Sequence, residues 1–190
     1  TKVTPNITSS NATTSGNNTA SSSWAVSHPA ASTGDLLIFY IAWDDSTNTT
    51  GVTAPSGPNG ETLTAINSTP ITDSNTETRG KAWYTVATGS WSAGTITFTP
   101  SASEQWQATV LKITAGNFDS VTPIGTAGTA AATGVADTAS LSPAYTVGAS
   151  DGGGKLVWCT SIDQDALVTL DNGWTSVAKV RLSTTISNEI

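Results

Sequence analysis

The residues able to do chemistry are few, and they gather at the ends of apolar runs. Asp44-Asp45 closes one such run, and Asp163-Gln164-Asp165 closes another. Carboxylates brought together from two corners, completed by loop carbonyls, make a calcium site. Two carboxylates flanking a sugar bond would instead be the apparatus of glycoside hydrolysis. The ordinary alternative is a set of solvated turn residues, with calcium second to it and catalysis third. Nucleophiles and bases are scarcer still. Cys159 is the only cysteine and lies mid-strand beside Trp158, as an inert buried thiol would. His28 is the only histidine and precedes Pro29, where a surface residue is expected rather than a ligand or base. No Ser-His-Asp or Cys-His arrangement, cysteine–histidine metal cluster or phosphate loop is present. A non-enzymatic chain with no cofactor is expected, and calcium at Asp44, Asp45, Asp163 and Asp165 is the second reading.

Tryptophan is the second chemical signal. There are seven, against three Tyr and three Phe. Trp43, Trp83 and Trp158 fall inside strand patterns and are expected in the core. Trp24, Trp91, Trp106 and Trp174 fall near loops or strand ends. An exposed indole stacks on a sugar face or fills a subunit interface, so Trp91, Trp106 and Trp174 are the candidate ligand-binding residues. Ordinary packing is the competing reading for each.

Strands must position these groups. The run Leu36-Leu37-Ile38-Phe39-Tyr40-Ile41-Ala42-Trp43 opens after the turn cluster Ser32-Thr33-Gly34-Asp35 and closes at Asp44-Asp45-Ser46. A short, almost continuous apolar run between turn signals predicts a strand buried on both faces. It is too short for a buried helix and has no polar side. Gly154 to Asp165 repeats the pattern of Gly34 to Asp45 without gaps, and Pro58-Asn59-Gly60 has its counterpart in Asp171-Asn172-Gly173. Two related halves are expected, each giving one sheet of a sandwich its central strand.

Further strands are expected at Glu61 to Asn67, Gly80 to Thr88, Gly94 to Thr99, Gln105 to Thr114, Ser140 to Val147, Leu156 to Ile162 and Trp174 to Leu182. Several alternate apolar with polar, as strands with one wet face do. Thr1 to Ser23 is almost wholly Thr, Ser, Asn, Gly and Ala. That composition predicts an extended or disordered arm, feeding a first strand at Ser22 to Val26. Ser183 to Ile190 reads as one more strand, cut short. It would leave an open sheet edge that a neighbour's arm could fill. The expected fold is all-β, a two-sheet antiparallel sandwich, jelly-roll-like, of about eight or nine strands. Residues 1–23 are the arm, a possible inter-subunit strand, and residues 24–190 the single sandwich domain.

Bulk composition narrows the partners. The net charge is −7 with a pI near 4.3, which disfavours nucleic acid, since phosphate contacts need clustered Lys and Arg. No apolar run reaches the length of a membrane span. Only 11% of residues are charged, about half the usual share. A surface of Ser, Thr, Asn, Ala and Gly suits a protein outside the cytoplasm.

From Gly34 onward the chain resembles a recurrent β-sandwich module of phage virion appendage and decoration proteins and of secreted bacterial surface proteins. The resemblance rests on Gly34-Asp35-Leu36-Leu37-Ile38, Thr53-Ala54-Pro55-Ser56-Gly57, Ala82-Trp83-Tyr84-Thr85-Val86-Ala87-Thr88, Thr95-Ile96-Thr97-Phe98-Thr99 and Val121-Thr122-Pro123-Ile124. It implies a structural role at a virion or cell surface, with copies of the chain or other virion and surface proteins as partners. It also admits an adhesin that binds glycans or a host receptor. It carries over no active site.

Overall fold

The computed structural model describes residues 11–45, 47, 49–72, 78–125, 159–162, 179–181 and 186–189. All its regular elements of length are strands, and no helix among the described residues is long and apolar enough to cross a membrane. The fold is an antiparallel β-sandwich. Its first sheet contains β1 (Ala12–Ser21), β3 (Leu36–Asp44), β5 (Thr64–Ala65), β6 (Ile71–Thr72), β7 (Thr78–Val86) and β9 (Glu104–Ile113). The order is β1-β9-β3-β7-β5, with β6 also on β7. The second sheet has β2 (Trp24–His28), β8 (Gly94–Pro100) and β4 (Val52–Thr53), in the order β2-β8-β4.

β3 is the axis, as its composition predicts. Its residues are buried from Leu36 to Trp43 because β7 and β9 pair with its two edges and both its faces are covered. Leu37, Phe39, Ile41 and Trp43 point inward and meet Trp24, Val26, Ile96 and Phe98 of the second sheet. Leu36, Ile38 and Tyr40 point outward, into a smaller cluster with Leu111, Ile113 and the loop residues Phe118 and Ile124. Each fully buried Leu, Ile or Phe contributes about 1.5–3 kcal/mol. The strand is launched by Gly34, whose φ of +89° only glycine adopts without strain. Asp35 then locks the corner, accepting the amides of Ser32 and Ala115, each at 2.9 Å.

Among the described residues, both sheets of the sandwich are built from 12–113, not one from each half. The part of the internal echo that is described, β10 (Cys159–Ile162), is an edge of a separate three-stranded sheet ordered β10-β12-β11. β11 is Lys179–Arg181 and β12 is Ile186–Glu189. The terminal run is therefore a middle strand, paired on both sides. The strand expected at 140–147 lies outside the described residues.

The described part of the arm is extended. Residues 12–21 form β1, which pairs with β9 of its own chain from Ala12↔Leu111 to Asn17↔Trp106. Composition hides it because its inward positions hold Thr13 and Ser15, not apolar residues. These bond to β2 instead. Thr13 Oγ1 donates to the Ser27 carbonyl at 2.8 Å, and the Ser27 amide donates to Ser15 Oγ at 3.1 Å. The two sheets are thus stitched together along this side.

Candidate functional site

The chemistry-bearing side chains fall at opposite ends of the sandwich. At the finish of β3, one rung of the first sheet runs Arg79–Trp43–Trp106–Asn17 across β7, β3, β9 and β1. Trp24 of the second sheet lies against it, 5.7 Å from the Trp43 ring and stacked at 5.9 Å on Trp106. The Arg79 guanidinium sits 5.8 Å from the Trp43 ring centroid, close enough for a cation–π attraction. Asp45 is the next residue but one after Trp43 and is fully buried.

Asp45 gathers the loop that follows it. Its Oδ1 accepts Thr47 Oγ1 at 2.9 Å and the Thr49 amide at 3.4 Å. Its Oδ2 accepts the Thr50 amide at 2.6 Å and pairs with Arg79 Nη1 at 3.2 Å. Arg79 also donates to the Thr50 carbonyl at 2.9 Å. Thr50 Oγ1 in turn donates to Glu104 Oε1 at 2.8 Å, so the buried Thr50 ties β3, β7 and β9 to one loop. Burial pushes the Asp45 carboxyl up, but its bonds from Thr50, Thr47, Arg79 and Thr49 outweigh that and hold it below the ordinary range. Glu104 moves the other way. Burial raises it, the Thr50 hydroxyl lowers it less, and the charges of Asp45 and Asp44 raise it further.

This geometry bears on the calcium expectation. A carboxylate offers about four acceptor positions, and the protein's own donors occupy those of Asp45. Asp45 is a buried structural anion and not a solvated turn residue. Asp44 ends β3 opposite Thr78 and is only half-buried. Among the described residues, no group of three or more His, Cys, Asp or Glu is placed to hold a metal ion. Asp163 and Asp165 lie outside the described residues.

The indoles fall differently from the expectation too. Trp106 is 4% exposed and Trp91 is 2% exposed. Neither offers a face to a sugar. Trp91 sits at the other end of the sandwich, where its Nε1 donates to Glu61 Oε1 at 3.0 Å and its ring meets His28 edge-on at 5.1 Å. His28, expected at the surface, is 3% exposed because β2 turns it into this contact. Trp174 lies outside the described residues. Three buried N–H groups at the β3 end, Arg79 Nε, Trp43 Nε1 and Trp106 Nε1, have no hydrogen-bond acceptor among the described residues.

Glu61 is the functional-looking residue that the sequence did not single out. It accepts the Asn59 amide and Nδ2, the Thr88 amide and Oγ1, and the Trp91 indole, at 2.9 to 3.2 Å. Burial raises its carboxyl, but these bonds, led by Trp91 and Thr88, win and bring it to about 2. The Asn59-Gly60 turn was the available signal, since a carboxylate just after a tight turn is placed to cap its amides. No protein-family model, curated protein or solved structure matches the chain.

Proposed function

We propose that this chain is a non-enzymatic structural subunit or domain of an extracellular or virion assembly, of the phage decoration, tail or fibre type. One observation carries the reading. Trp91, Trp106, Asp45 and Glu61 are all invested inside the sandwich. What faces outward on the strands is Thr, Ser, Asn and Ala, as at Ala25, Thr95, Thr97 and Thr99. Such a surface offers shape and main-chain edges rather than reactive groups, and it suits contact with copies of the same chain. The N-terminal arm takes part in those contacts. The glycan-binding alternative now leans on Trp174, because the other two candidate indoles are core residues.

The test is the size distribution of purified protein by light scattering. It compares the intact chain with one lacking residues 1–10, which leaves β1 in place. A defined assembly from the intact chain is expected; its loss on truncation assigns the linking contact to residues 1–10, and its persistence leaves that contact to β1 and the rest of the chain. A monomer in both forms refutes the reading. Glycan-panel binding lost on Trp174→Ala would then favour the alternative.

A further inference from the structure

β1 is held unlike any other long strand of the sandwich. Of its ten residues five are exposed and none is fully buried. Only Ala12 joins an apolar cluster. Its sequence includes Gly16, Asn17 and Asn18, which are poor strand formers. What holds it is a main-chain ladder to β9 from Ala12 to Asn17, plus the two bonds that Thr13 and Ser15 make with Ser27. Hydrogen bonds of this kind net only about 0.5–1.5 kcal/mol each, so β1 belongs to the low-stability end of the structure.

Beneath it lies a different kind of strand. Trp106, Ala108, Val110 and Leu111 of β9 are all buried, and β1 is what covers that edge. Lifting β1 would bare a long, apolar, β-prone edge, the kind that captures another strand. The chain also carries a joint in the right place. The register breaks between Asn17 and Ser21, and residues 18–20 between them are exposed. Ser21 itself is fixed, because the Trp24 indole donates to its carbonyl at 2.9 Å and it pairs with Glu104. A free segment, a short exposed joint and an anchored base are the parts of a strand-exchange hinge, and short hinges favour exchange.

We infer that residues 12–17 of one copy occupy the β9 edge of a second copy, opposite Trp106 to Leu111, and that this exchange links the subunits. The occupant is a second copy of this chain because the fitting segment is already seen in that register within one chain. Every ladder bond and both bonds to Ser27 would be remade across the interface. The inference rests on the assembly reading above and names its contact.

The experiment co-refolds equal amounts of ¹⁵N-labelled and ¹³C-labelled intact chain. Contacts between the two labels are read by NMR, in solution or, for a large assembly, in the sedimented solid. Any such contact arises between chains. Contacts linking Ala12–Asn17 with Trp106–Leu111 are expected. Lengthening the 18–20 joint with a flexible Gly-Ser insert should abolish them, since a long joint lets β1 fold back on its own chain. An assembly whose β1–β9 contacts are all within single chains overturns the exchange and leaves the assembly reading standing. A monomer with only intrachain contacts overturns both.

Discussion

Replacing Glu61 with Gln removes a charge while keeping the side chain's shape, and the structure says what that should cost. The Glu61 carboxyl sits at about 2, against an ordinary 4.5. At about 1.4 kcal/mol per pH unit, that difference amounts to roughly 3 kcal/mol of stability near neutral pH. The sign follows from the direction. A folded-state value below the unfolded one gives stability that is fully present above pH 4.5 and drains away as pH falls toward 2. At pH 3 only about 1.4 kcal/mol should remain. Gln cannot reproduce the site, because one of its two terminal atoms must be a donor. That NH₂ then faces either the Asn59 amide on one side or the Thr88 and Trp91 donors on the other. Urea unfolding followed by tryptophan fluorescence, at pH 7 and pH 3, measures both terms. Glu61→Gln should lose about 3 kcal/mol or more at pH 7, and the gap from the parent should narrow by about 2 kcal/mol at pH 3. A variant within about 0.5 kcal/mol of the parent at pH 7 would refute the reasoning, as would a gap that does not change with pH.

Other outcomes follow from the same contacts. Gly57→Ala would place a Cβ 2.6 Å from Glu61 Oε2 and 2.7 Å from Trp91 Cζ2. It should lower the unfolding midpoint by about 1–3 kcal/mol equivalent, and an unchanged midpoint would show that the turn can move away. Asp45→Asn breaks a buried ion pair and leaves Arg79 without its anion, a loss of about 3–5 kcal/mol. Proteolysis should then begin in the loop 46–50, and cleavage elsewhere first would contradict the role given to Asp45. Glu104 has a raised carboxyl in the fold, so its ionised form weakens stability above that value, and stability is regained as pH falls through it. Glu104→Gln should therefore be more stable than the parent at pH 7, with the advantage shrinking in acid, and a variant less stable at pH 7 reverses that assignment. Trp106→Phe should lower stability by loss of its stacking on Trp24, and a change confined to ligand binding would contradict its place in the core.

The strand Leu36 to Trp43, its burial on both faces and the all-β sandwich were legible in residue order alone. A near-continuous apolar run between turns has few other ways to be buried. β7, β8 and β9 were legible from their alternation of apolar and polar residues, within one or two residues at each end. β1 was not, because a strand held by main-chain pairing and hydroxyls has no apolar period to read. Chemistry followed the same divide. The types of Asp45, Trp91, Trp106 and His28 were plain from the sequence, but their exposure was not. Whether an indole stacks on a sugar or on another indole depends on the sheet opposite. Only the pairing of β3 with β7 sets Arg79 beside Asp45, 34 residues away in sequence. Likewise, only the closure of the far end sets Trp91 against Glu61, 30 residues away. Local sequence chooses strands and turns because those preferences act over a few bonds. The fate of each charge and ring is decided by contacts that exist only once the sheets have met.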